Sequence, residues 1–417
     1  MLMLAACVPH AHAQKYRAKN ILFKGDKEYS EAEMLAATGL KAGAMLTPAE
    51  MDEHSQQLML SGVFANVAYT FNDQDLVFQL LPASHLYPIH LENLPLNDPL
   101  ALDAKLRAKF PLYHSMVPSQ GSLLDAVRAE LEAELAAMGI PATVVTAPYS
   151  ADGTTKATAI GFSITTPPVK IGEIRLDGSS PNLAAEALVL TKKLTGENYS
   201  TDKSAQELEG RVREFYRGSG YLEADVHAAA DPKPVVNEAG VQIPFAVRIA
   251  EGTAFKLAAV QLAPGLLVTQ EEYDKGASLR LGELADNRQL QRGWELIRNR
   301  YKAKGYLLVA VKPEPTFDRT NGTVSFRVAV EPGDVYRMNT VKFQNVSDDL
   351  RRMLLHNWQM APDDIFDENY VREFPSIAAK QEPALGRIFS GISYVWHLSV
   401  DPQTHMVDVV ITLAKRN

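Results

Sequence analysis

The chain has one cysteine, Cys7, in 417 residues, which excludes an intramolecular disulfide framework and a cysteine-rich metal site. After the first residues no stretch reaches the roughly 18 uninterrupted apolar positions that a membrane-spanning helix needs. Positive charge is also short: 42 Lys and Arg stand against 50 Asp and Glu, a net charge of −8, which excludes nucleic acid and an anionic membrane surface as main partners. The ten histidines are scattered and never fall into H-E-x-x-H or Cys/His spacing. No G-x-S-x-G nucleophile elbow is present. Gly218-Ser219-Gly220 follows a helical pattern and precedes an alternating one, the reverse of a dinucleotide fingerprint. Acidic pairs such as Asp363-Asp364 and Glu271-Glu272 read as solvated faces. Neither enzyme chemistry nor a cofactor is expected.

What is present is globular: 46% hydrophobic and 22% charged residues, in a chain long enough for several cores. Met1 to Val8 is apolar, and Ala11-His12-Ala13 before Gln14 has the small-x-small form read by a signal peptidase. Residues 1–13 therefore read as the remnant of a secretory signal cleaved after Ala13. Leu4-Ala5-Ala6-Cys7 also fits a lipobox, which would make Cys7 a lipidation site and anchor the chain to a membrane.

The chain repeats itself five times at intervals of roughly 80 residues, the size of a small domain. The marker is a glycine that ends a helix and leads into an alternating strand, at Gly62, Gly139, Gly220, Gly305 and Gly391. Glycine suits that place because a helix commonly stops on a left-handed residue. Four and eight residues upstream lie Leu135 and Leu131, Tyr216 and Val212, Tyr301 and Ile297, a stripe on one helix face. Leu46-Thr47-Pro48-Ala49-Glu50 combines an apolar residue, a threonine cap, proline at the first helical position and glutamate three residues after the cap. Tyr199 before Ser200-Thr201 and Phe366 before Asp367 repeat the order of apolar residue and cap.

After each glycine strand come turn formers and a closing strand, as in Asn321-Gly322 followed by VSFRVAVEPG. An opening strand such as KIGEIRLDG precedes two helical segments, in that copy Leu183 to Leu194 and Thr201 to Tyr216. The unit is β-α-α-β-β, and the expected fold class is α+β: a tandem array of small domains, each a three-stranded mixed sheet backed by two helices. Boundaries fall at short joints, giving units at 14–83, 84–167, 168–252, 253–333 and 334–417 with limited hinge motion. The second unit diverges, with a proline-rich opening from His85 to Pro95. In the fifth, Pro375 and Pro383 fall inside the second helix, which should be split.

KIGEIRLDG, two helices and SGYLEADV, together with the joint EPGDVYRMNTVKFQNV after VSFRVAV, resemble polypeptide-transport-associated (POTRA) domains. These are periplasmic domains of outer-membrane barrel-assembly and translocation proteins. The resemblance implies a periplasmic scaffold at the outer membrane, partnered by an outer-membrane barrel protein or unfolded outer-membrane substrates. It also implies a protein-binding edge in the strand after the second helix, which falls on Tyr221, Leu222, Glu223, Ala224, Asp225 and Val226, and on Tyr306, Leu307, Leu308 and Val309. Such an edge presents unpaired main-chain groups to an added strand. The rival reading is a spacer or lipid-anchored envelope tether that binds no substrate.

Overall fold

The computed structural model describes residues 14–96, 98–151 and 156–415; Cys7 and the signal-like start lie outside them. The first repeat contains β1 (Tyr16–Ala18), β2 (Asn20–Lys24), α1 (Glu31–Thr38), β3 (Ala44–Leu46), α2 (Pro48–Leu60), β4 (Phe64–Asn72) and β5 (Asp75–Pro82). The second contains β6 (Tyr87–Leu91), α3 (Pro99–Lys109), β7 (Met116–Val117), α4 (Ser122–Ala137), β8 (Thr143–Tyr149) and β9 (Ala159–Thr166). The third contains β10 (Val169–Asp177), α5 (Pro181–Leu194), α6 (Ser204–Gly218), β11 (Asp225–Ala230), β12 (Val235–Asn237) and β13 (Gly240–Ala250). The fourth contains β14 (Lys256–Leu262), α7 (Gln270–Ala277), α8 (Asn287–Lys302), β15 (Ala310–Asp318) and β16 (Thr323–Glu331). The fifth contains β17 (Arg337–Gln344), α9 (Asp348–Asn357), α10 (Glu368–Gln381), α11 (Pro383–Ser390), β18 (Ile392–Asp401) and β19 (Met406–Lys415).

Helix entries follow the local chemistry. Thr47 accepts from the Glu50 main-chain N–H at 3.2 Å while its own N–H donates to the Glu50 carboxylate at 2.6 Å. Ser30 with Glu33 and Thr269 with Glu272 form the same reciprocal cap. The helix expected from Thr201 begins three residues later, at Ser204, whose hydroxyl accepts from the Ser200 N–H at 2.8 Å. The fifth repeat is split as expected, but the break falls at Glu382–Pro383, with Pro375 retained inside α10.

The five main sheets share one topology. The closing strand is central, parallel to the opening strand in β2–β5, β6–β9, β10–β13, β14–β16 and β17–β19. The glycine strand lies on its other side, antiparallel in β4–β5, β8–β9, β15–β16 and β18–β19, and β11 lies likewise beside β13. An α+β array of small mixed sheets is thus what forms. Two sheets gain a fourth strand: β7 pairs with β6, and β12 folds back on β13. In the first repeat the segment between the helices pairs with the opening chain as β1–β3; in the last three it shrinks to single bridges, Lys170 with Asn198, Lys256 with Leu284 and Arg337 with Ile365.

Alternation places one face of each central strand in a core: Leu76, Phe78 and Leu80; Ile160, Phe162 and Ile164; Val324, Phe326 and Val328; Val407, Val409 and Ile411 are all buried. The helix stripes meet them, with Leu131, Leu135, Val212, Tyr216 and Ile297 almost fully buried. Burying each such side chain contributes roughly 1.5–3 kcal/mol. The chain divides into two compact units: one holds the chain up to Val212 together with Val226–Ile249, and the other consists of Arg213–Asp225 and the chain from Ala250 onwards.

Candidate strand-accepting edges

The strand after the second helix, or after its last piece in the fifth repeat, ends its sheet in all five cases: β4, β8, β11, β15 and β18. Of the residues expected on these edges, Asp225 and Val226 fall in β11, and those before them, like Tyr306 to Val309, precede the strand. Tyr221 to Ala224 and Tyr306 to Val309 form turns, and β11 and β15 begin only at Asp225 and Ala310.

The turns have a different task. Leu222 packs against the fourth core, beside Phe255 and Leu257, and the Gly220 carbonyl accepts from the Phe255 N–H at 2.9 Å. Glu223 pairs with Arg319 at 2.7 Å. One repeat later Leu307 is buried in the fifth core with Tyr336 and Phe366, and the Gly305 carbonyl accepts from the Tyr336 N–H at 2.9 Å. Tyr306 packs at the rim of the fourth core, Val309 is inside it, and Leu308 stays exposed. The glycine keeps its left-handed conformation at Gly220 (φ 91°) so that the turn can be inserted into the next repeat. Gly391 is not left-handed (φ −103°), and β18 starts on the next residue.

Which main-chain groups face outward is set by three prolines. Pro313 and Pro315, two apart in β15, and Pro148 in β8 have no N–H to give, while pairing with the central strand runs without a shift from Ala310 to Asp318. Their nitrogens therefore face away from the sheet. In register they belong to the row whose side chains face the core: Pro313 lies opposite Val328 and Pro315 opposite Phe326. Residues of this row turn both N–H and C=O to the open side, because the two groups of one residue point the same way in an antiparallel strand.

One position in this row recurs. Val67, Val144, Pro313 and Trp396 lie opposite Leu80, Ile164, Val328 and Ile411, the third buried residue of each central strand. Ala228 is its counterpart in the third repeat, eight residues after Gly220 as Pro313 is eight after Gly305. The Val67 carbonyl accepts from the Ser55 hydroxyl on α2 at 3.0 Å. The Val144 N–H donates to Glu132 on α4 at 2.9 Å, and the Ala228 N–H donates to Glu209 on α6 at 2.9 Å. Pro313 has no N–H. Among the described residues no side chain bonds the main chain of Trp396.

Titration of the described groups follows burial and capping. Burial pushes the Tyr394 phenol well above its ordinary value, and hydrogen bonds from Ser30, then from His114, hold Glu33 down to about 2. A groove of about 1040 Å³ along α7 and α8 is lined by Lys275, Arg288, Arg292 and Arg300 with Glu272 and Glu295, side chains suited to ion pairing. Among the described residues no group of three or more His, Cys, Asp or Glu side chains could hold a metal ion, and no helix is long and apolar enough to cross a membrane.

Residues 16–81 match the POTRA family model, described as "Surface antigen variable number repeat". The chain is thus an array resembling POTRA domains, matched by family in its first repeat and sharing that repeat's strand order in the other four. Similar solved structures include POTRA3-5 of BamA from Haemophilus influenzae, at 16% identity and TM-score 0.45, covering 60% of this chain and 96% of that one. The N-terminal domain of Omp85 from Thermosynechococcus elongatus is similar at 24% identity and TM-score 0.22, covering 60% and 99%. POTRA1-3 of the periplasmic domain of Omp85 from Anabaena is similar at 20% identity and TM-score 0.23, covering 60% and 96%.

Proposed function

We propose that the chain is a periplasmic scaffold associated with the outer membrane, which binds partner or substrate strands by β-augmentation. The observation that carries this reading is the placement of the glycine strand at a sheet edge in all five repeats. An edge strand offers a ladder of main-chain donors and acceptors, which supplies affinity for any extended segment. The family match in the first repeat supports partners of the outer-membrane class, namely a barrel protein or its unfolded substrates. The experiment is binding of a fluorescent extended peptide to the full chain, compared with the same peptide N-methylated at alternate residues. Binding abolished by N-methylation supports strand addition; binding unaffected by it, or no binding to any extended peptide, rejects it.

The second reading is a spacer or tether held through a lipid on Cys7. The apolar start ending in Leu4-Ala5-Ala6-Cys7 favours it. Mass analysis of the mature N-terminus separates lipid on Cys7 from a free Gln14, and copurification with a barrel protein from envelopes separates a scaffold from a passive spacer.

A further inference from the structure

We infer that β18 is the edge on which this chain accepts a foreign strand, and that the occupant is an extended segment of another polypeptide with apolar side chains at alternate positions. The inference rests on the β-augmentation reading above and selects among its edges.

Four of the five edges are occupied or interrupted at one structurally equivalent position. A helix side chain holds the Val67 carbonyl, the Val144 N–H and the Ala228 N–H, and Pro313 supplies no N–H at all. An incoming strand would have to share the Val67 carbonyl with Ser55, displace Glu132 or Glu209, or leave its own acceptor unpaired opposite Pro313 or Pro315. An unpaired group there costs more than an ordinary hydrogen bond gains. β4 and β8 also carry register shifts near their starts, at Phe64/Asn66 and Thr143/Val144, while β11 has only six residues.

β18 has none of these obstacles. Its ten residues pair with β19 without a shift from Ile392 to Asp401 and include no proline. From Ile392 to Val400 it also has no Lys, Arg, Asp or Glu, the residues that usually protect an exposed edge. By contrast, the solvent-facing row of β15 reads Lys312, Glu314, Thr316 and Asp318. α11 ends at Gly391 without a left-handed conformation, and the stretch that forms a docking turn in the third and fourth repeats is strand in the fifth.

The occupant's character follows from the row that faces the core. Tyr394, Trp396, Leu398 and Val400 pack against the fifth core but remain only half-buried. A strand added beside them, with apolar residues opposite, would complete their burial. In β11 the corresponding row beyond Val226 is Ala228 and Ala230, which leaves little apolar surface to cover. The groups free to bond are the N–H and C=O of those same four residues of β18.

The test uses the full chain and a ten-residue peptide alternating Val or Tyr with Thr or Ser, read by fluorescence anisotropy and by amide hydrogen exchange. Leu398→Ala removes the side chain but keeps the outward N–H; Leu398→Pro removes both. Leu398→Pro should bind about tenfold more weakly than Leu398→Ala, the value of one main-chain hydrogen bond. In the unsubstituted chain, where folding of a variant is not at issue, the peptide should slow exchange at Trp396 and Leu398 and leave Ala228 unchanged. Equal binding by folded Leu398→Pro and Leu398→Ala overturns the assignment. So does protection at Val67 or Ala228 in place of β18, while leaving β-augmentation itself intact. Failure of every extended peptide to bind overturns both. Concentration-dependent protection of the β18 amides without peptide, accompanied by dimerisation, overturns the occupant by showing a second copy in its place.

Discussion

The hydroxyl of Tyr394 on β18 donates a 2.8 Å hydrogen bond to the carbonyl of Val371 in α10. Pro375, four residues further along that helix, is the reason the carbonyl is free: it has no N–H to return to Val371. Burial keeps the phenol protonated and so able to donate. A helix defect and an edge strand are thereby joined, and β18 is held against its helices without using its main-chain groups.

Tyr394→Phe should therefore destabilise the fifth repeat by about 1–3 kcal/mol, because the Val371 carbonyl loses a donor that Pro375 cannot replace. Pro375→Ala restores an N–H to the helix and should make the Tyr394→Phe change much less costly. Denaturant unfolding of the two single variants and the double variant gives the coupling energy. Additive effects would mean that the two residues do not share the carbonyl.

Glu33 links the cap of α1 to His114 of the next repeat, with its carboxylate 2.9 Å from the imidazole. Hydrogen bonds from Ser30 and then His114 lower its pKa from 4.5 to about 2. A depressed carboxylate contributes stability that is complete above pH 4.5 and is lost as pH falls towards 2. Glu33→Gln should be less stable than the unsubstituted chain at pH 6, and the difference should shrink across that window. Thermal unfolding at a series of pH values checks it; a constant difference would remove Glu33 as the titrating group.

Leu307 was expected on a binding edge and instead fills the fifth core. Leu307→Ala should cost about 2–5 kcal/mol through the cavity it leaves. Chemical denaturation measures the loss, and a loss of less than about 0.5 kcal/mol, the range of an ordinary surface change, would place the side chain outside the core.

Glu209 holds the Ala228 N–H. Glu209→Ala should speed exchange of that amide by about tenfold, the equivalent of one lost hydrogen bond, with little change at Val226. Exchange read residue by residue is the measurement, and unchanged protection at Ala228 would show that the carboxylate does not occupy the edge.

Much of the architecture was legible in the chain. The recurring glycines, the Thr47–Glu50 cap and the strict alternation of the closing strands specify β-α-α-β-β units by local geometry, since each signal acts over a few residues. Two prolines in the fifth repeat announced a split helix, although which one made the break depended on packing: Pro375 is tolerated because Tyr394 satisfies the carbonyl it orphans. The edge residues were legible only by position in the repeat. Leu222 and Leu307 look like strand residues by alternation, and nothing local distinguishes them from edge residues; the cores they join, which hold Phe255 and Tyr336, lie more than twenty residues further along the chain.

The sequence by itself determined the repeating unit, its helix starts and stops, and which face of each strand is apolar, because propensity, capping and period are properties of neighbouring residues. Only the tertiary structure decided which edges are open. That depends on whether a side chain from a separate helix, Ser55, Glu132 or Glu209, reaches a main-chain group of the strand. It also depends on whether the turn after the glycine is drawn into the next core or, as after Gly391, remains strand.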